Sequence, residues 1–140
     1  PHSIFYATEK IEAPEDTLLP ENKYTEYKQL FTQFVNYHLD MVDNLNKKIN
    51  SSSEPVYMFG AHIFSQYLIG FSLNTDRIIK ILDNSIIKHN KRLYGTSLIV
   101  DSPKILKDKG KVNIILKAGI YNDEIKKDIL ENINDQGVFW

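Results

Sequence analysis

Short apolar runs separated by helix-like segments constrain this chain more than any other feature. The runs are Val56-Tyr57-Met58-Phe59, Ile78-Ile79-Lys80-Ile81-Leu82, Leu98-Ile99-Val100 and Val112-Asn113-Ile114-Ile115-Leu116. They are too short for buried helices, and near-continuous apolar runs of this length read as strands covered on both faces. Between the first two, residues 61–71 carry Ile63, Phe64, Tyr67 and Leu68 at helical spacing. Ser102-Pro103 opens a brief helix, because serine suits the N-cap and proline the first helical position. Asn122 or Asp123 caps another that runs to about residue 134. Gly137 ends it, and Val138-Phe139-Trp140 opens a last strand. This alternation predicts an α/β fold, a Rossmann-like three-layer sandwich with a mostly parallel sheet. Right-handed crossovers place the loops after Phe59, Leu82 and Leu116 at one edge, where sheets of this kind bind ligands.

A long helix precedes the first strand, over residues 21–50. Its apolar residues Tyr27, Phe31, Phe34, Met41, Leu45 and Ile49 recur in steps of three and four, with His38 and Val42 on the same face. Ser51-Ser52-Ser53-Glu54-Pro55 ends it. The aromatic series Tyr24, Tyr27, Phe31, Phe34 and Tyr37 is core or interface rather than a base-stacking platform, since no basic residues interleave it as nucleic-acid binding requires. Upstream, residues 1–20 hold a β-prone segment at 3–7 and an acidic stretch with Pro14 and Pro20, which reads as a linker or extended arm.

Composition removes several classes of function. The 140 residues suit one domain, which here spans residues 21–140. A net charge of −1 gives no overall field to attract nucleic acid or an acidic membrane. The absence of cysteine excludes a disulfide framework, a thiolate metal site and a cysteine nucleophile. The four histidines show no H-E-x-x-H spacing, and neither a G-x-S-x-G elbow nor a P-loop occurs. No apolar run approaches the roughly 20 residues that span a bilayer, and Pro1-His2-Ser3 does not open a signal peptide. The expectation is a cytoplasmic domain without a metal, a membrane or a nucleic acid. A start without methionine fits an excised fragment or processed product.

Four places carry candidate chemistry. Phe59-Gly60-Ala61-His62 ends the first strand, and a glycine there lets backbone approach an anion at the helix start. A full dinucleotide fingerprint would read G-x-G-x-x-G, whereas His62 and Ser65 occupy the second and third glycine positions, so an ordinary NAD grip and a dinucleotide oxidoreductase are disfavoured. His62 would bind phosphate, shuttle a proton or simply order the turn. Asp83 ends the second strand about twenty residues on, where acidic residues meet ribose hydroxyls; with Asn84 and Ser85 beside it, a turn aspartate bonding its own backbone is the competing reading. Lys88, Lys91 and Arg92 form a basic cluster, a phosphate holder or a solvated loop. The candidate substrate-binding residues are thus Gly60, Ala61, His62, Asp83, Asn84 and Lys91, none of them catalytic.

These residues, with Lys91-Arg92-Leu93-Tyr94-Gly95-Thr96 and Val100-Asp101-Ser102-Pro103 through Ile105-Leu106, follow an order and spacing similar to the carboxyl-terminal domain of sugar-nucleotide C-methyltransferases. Members of that family typically show a glycine-ended strand, a strand closed by an Asp-Asn or Asp-x-Asn-like element, a K-x-L-x-G-T segment and a V-x-S-P-x-x-L segment, after a long helix. The resemblance covers residues 23–140. It implies a parent enzyme of carbohydrate biosynthesis in which a zinc-binding segment and an S-adenosylmethionine domain carry methyl transfer outside this chain. The Rossmann-like domain then helps bind a nucleotide-linked sugar near Gly60, Ala61, His62 and Asp83, with no cofactor and no catalytic residue of its own. His62 departs from the family, where many relatives carry a small or different residue. The alternative is a stand-alone interaction module that dimerises through the long helix and takes no nucleotide.

Overall fold

A computed structural model describes residues 9–10 and 21–140; the segment at 3–7 and most of the arm at 1–20 lie outside the described residues. Helix α1 spans Tyr24–Ser51, 28 residues and about 42 Å at 1.5 Å per residue. Five strands follow: β1 (Val56–Phe59), β2 (Ile78–Leu82), β3 (Val100–Asp101), β4 (Val112–Leu116) and β5 (Gly137–Phe139). Helix α2 (Ile63–Gly70) joins β1 to β2, and α3 (Asn122–Asn132) joins β4 to β5. Every neighbouring pair is parallel, in the order β3-β2-β1-β4-β5. The chain thus has the α/β, Rossmann-like architecture its pattern predicts, with a long helix in front.

Alternation along the strands divides the core between the two faces of the sheet. Val56, Met58 and Ile115 join Val42, Leu45 and Ile49 of α1 and Leu68 of α2 on one face. Tyr57, Phe59, Ile114 and Leu116 join Leu106 and Ile129 on the other. Every residue of β1 and β4 is buried, as a parallel sheet covered on both sides demands.

Boundaries shift where local hydrogen bonding outweighs hydrophobicity. The short third strand begins at Val100 rather than Leu98, because Leu98 and Lys91 take backbone partners in the preceding turn: Leu93 N–H donates to the Leu98 carbonyl and Val100 N–H to that of Lys91. Neither Asn122 nor Asp123 occupies the N-cap of α3. Tyr121 does, while the Asn122 side chain turns back to accept from Ala118 N–H at 2.7 Å. Ser102 does cap a single 3-10 turn at Pro103–Leu106, accepting from Lys104 N–H.

Two polar devices tie the layers together. Arg77, just before β2, donates to the carbonyls of Ile49, Asn50 and Ser52 at 2.9, 3.0 and 2.7 Å. Those are the carbonyls a helix end leaves without partners, so α1 is pinned by its carboxyl end to the amino edge of the sheet. Buried Asn134 donates to the carbonyls of Leu106 and Gly110 and accepts from Gln136 N–H, which sets the approach to β5.

Candidate functional site at the switch point

Strand order reverses on either side of β1 and β4, because the chain leaves β1 towards β2 and leaves β4 towards β5. The loops after these two strands therefore diverge and open a crevice at the carboxyl edge, the place where open α/β sheets take ligands. A cleft of about 420 Å³ lies there, within the roughly 300–1,000 Å³ usual for small-molecule sites. The β1 side contributes Phe59, Gly60, His62 and Phe64, the β2 side Asp83, Asn84 and Lys88, and the β4 side Ala118, Tyr121 and Glu124.

The β1 loop is built around a left-handed glycine. Gly60 has φ +105°, a region that side chains other than glycine rarely adopt. Its N–H donates to the Leu82 carbonyl at 2.7 Å, and its own carbonyl accepts from the Ser65 hydroxyl. The His62 imidazole folds back over this glycine, so that a Cβ at position 60 would run into the ring. His62 is also the N-cap of α2: its Nδ1 accepts from Phe64 N–H at 3.2 Å. In the neutral ring the proton then sits on Nε2. Burial holds His62 below its ordinary 6.5, the Lys88 ammonium adds to this, and Asp83 opposes it.

Asp83 braces the same loop. Its Oδ2 accepts from Ala61 N–H at 2.8 Å and from Lys88 Nζ at 2.9 Å, and its Oδ1 accepts from Ser85 N–H at 2.9 Å. Burial by itself would raise this carboxyl. The hydrogen bonds from Lys88, Ser85 and Ala61 and the Lys88 charge outweigh it and hold the group below its ordinary 3.8. Asp83 thus bonds its own turn, as the structural reading from sequence has it, and also lines the cleft.

The consequence for ligand chemistry is direct. In a dinucleotide-binding sheet the loop N–H groups meet a pyrophosphate and the acidic residue meets a ribose. Here Ala61 N–H and Asp83 satisfy one another, and the His62 ring fills the space a second glycine would leave. A pyrophosphate lying on this loop would have to displace both. The cleft is further lined by His62, Asn84, Glu124 and Lys88, the last bonded to Asp83, with Phe64 and Tyr121 as aromatic walls.

Of the residues singled out from sequence, Gly60, His62, Asp83 and Asn84 are brought together around the cleft. Ala61 takes part through its backbone. Lys91 does not line the cleft; its backbone is engaged in the turn beside β3. Lys88, from the same basic cluster, lines the cleft instead. The β4 side, with Ala118, Tyr121 and Glu124, was missed as a set of residues. Its signal was present, since the loop after Leu116 was expected at this edge.

No family model, curated protein or solved structure matches this chain. The resemblance to sugar-nucleotide C-methyltransferases therefore rests on the ordered motifs alone. Among the described residues, no cluster of histidine and carboxylate side chains is arranged to hold a metal, and no helix is long and apolar enough to cross a membrane.

Proposed function

We propose that this chain is a substrate-binding domain that takes a nucleotide-linked sugar at the switch-point cleft. Methyl transfer from S-adenosylmethionine would be carried by a domain outside these residues. One observation carries the reading: the cleft gathers His62 from the loop after β1 and Asn84 and Lys88 from the loop after β2, at the edge where such sheets bind ligands. The motif order supports the narrower choice of a sugar nucleotide. The closed glycine loop argues for recognition through sugar or base and one phosphate, rather than through a full dinucleotide grip.

Calorimetric titration of the chain with dTDP, UDP, GDP, CDP, NAD and S-adenosylmethionine tests this. Saturable binding of one nucleoside diphosphate, with no heat from S-adenosylmethionine, is the expected result. Lys88→Ala and His62→Ala should each weaken that binding by about 1–2 kcal/mol, the scale of one charge-assisted hydrogen bond, while Lys91→Ala should leave it unchanged. Methyl transfer by the chain alone, or silence across the whole panel, would overturn the reading.

A further inference from the structure

The amino half of α1 is an apolar surface that no described residue covers. Tyr24, Tyr27, Leu30, Phe31, Phe34 and Tyr37 are between 49% and 67% exposed. Scattered apolar residues on a surface are ordinary, but a contiguous set of this size on one helix marks an interface. Between Tyr24 and Leu39 the only charged residues are Glu26 and Lys28. Charge of this kind is depleted at the centre of interfaces, and a stripe with no net charge does not repel an identical copy.

The spacing says more. Tyr24, Tyr27, Phe31, Phe34, His38 and Met41 alternate steps of three and four, the a and d positions of a heptad repeat. From Val42 onward the same side of the helix is already covered by the chain's own sheet, with Val42, Leu45 and Ile49 at 2%, 3% and 0% exposure. A parallel partner would have to occupy the space that this sheet fills. An antiparallel partner overlaps the free half and its margin, where His38 stacks on Phe71 and Met41 is partly buried against the core, and leaves the two α/β bodies at opposite ends. Within that overlap one register matches every a position to a d position. Phe31 of one copy meets Phe34 of the other, Tyr27 meets His38, and Tyr24 meets Met41.

We propose that two copies of this chain pair through the amino halves of α1, antiparallel and in the register that sets Phe31 of one copy against Phe34 of the other. The area is sufficient. Aromatic side chains bury about 150–250 Å² each, so the five aromatics, half to two-thirds exposed, offer about 600 Å² per copy and about 1,200 Å² in all, the lower bound of stable interfaces. Such a contact is self-complementary about a two-fold axis, as dimers of identical chains usually are. It uses none of the residues that line the switch-point cleft and does not depend on what that cleft binds.

Sedimentation velocity of the full chain over a range of concentrations tests the pairing. Twice the monomer mass is expected, and Phe31→Glu should weaken association at least tenfold with an unchanged circular dichroism spectrum. Cross-linking tests the register, because the chain has no cysteine of its own. A mixture of Tyr27→Cys and His38→Cys chains should form a disulfide-linked pair on mild oxidation. Tyr27→Cys alone should not, since in this register its two copies stand about 16 Å apart along the helix axes, beyond the roughly 7 Å reach of a disulfide. A monomer at every concentration would overturn the proposal and assign the stripe to a different partner. A dimer indifferent to Phe31→Glu, or rapid self-linking of Tyr27→Cys, would overturn it as well.

Discussion

The two halves of α1 share one helix and one stripe yet meet opposite fates. Leu45 and Ile49 are sealed against the sheet, while Tyr24 and Phe31, on the same side about four to seven turns away, stand 65% and 67% exposed. The periodicity is the same in both halves, and so is the helical backbone. The difference lies in what stands opposite. The longest strands have only four or five residues, about 15 Å, whereas the helix runs about 42 Å. A helix nearly three times the height of its sheet cannot bury its whole stripe against it. Amphipathic pattern therefore specifies which side of a helix wants cover, and says nothing of whether the fold supplies it.

Substitution can break or sharpen that contrast. The largest effect is expected in the covered half. Ile49→Ala opens a cavity at a fully buried position and should destabilise the chain by about 2–5 kcal/mol, read as a drop in the urea midpoint. If Ile49→Ala instead costs no more than a surface change, the covered half is not holding the body together and the contrast fails. Next comes the pin at the carboxyl end. Arg77→Ala removes three hydrogen bonds to helix carbonyls and should cost about 1–2 kcal/mol. Hydrogen exchange should quicken at the carboxyl end of α1 and stay unchanged in its amino half.

Acidification should loosen the body through His62 rather than through α1. The folded chain holds this ring below 6.5, chiefly by burial, so the unfolded chain takes up a proton first. Its contribution is complete above pH 6.5 and is lost as pH falls from there to the lowered value. Asp83, held below 3.8, keeps its own contribution to lower pH and loses it as pH falls through that depressed value. A urea midpoint that does not change between pH 7 and 5 in the wild type, or that falls equally in His62→Ala, would remove His62 from this role. The smallest effect belongs to the open half. Phe31→Ala should alter the stability of dilute monomer by no more than about 0.5 kcal/mol, even though the same position in the covered half would be among the costliest.

Much of the architecture was legible in the residues. Val56–Phe59, Ile78–Leu82 and Val112–Leu116 are strands at the bounds their apolar runs suggest, because a strand buried on both faces has to be apolar throughout. The third strand was misplaced by two residues, since backbone partners in a turn leave no trace in hydrophobicity. The cleft was legible as a place and only partly as a set of side chains. Gly60 and Asp83 announced themselves by their positions at strand ends. Lys88 and Lys91 could not be told apart from the sequence, because both belong to one basic loop and only the path of that loop decides which reaches Asp83.

What the sequence determined by itself is local: the periods of the helices, the apolar strands, the glycine that must turn left, and the charge and cysteine content that exclude whole classes of function. Those follow from steric and hydrophobic rules that act over a few residues. The tertiary structure alone decided what stands opposite each of them. It turned Asp83 onto the N–H of Ala61, carried Arg77 to the carbonyls at the end of α1, and ended the sheet while α1 still had half its stripe to cover. These outcomes depend on distances between segments twenty or more residues apart, which no pattern along the chain encodes.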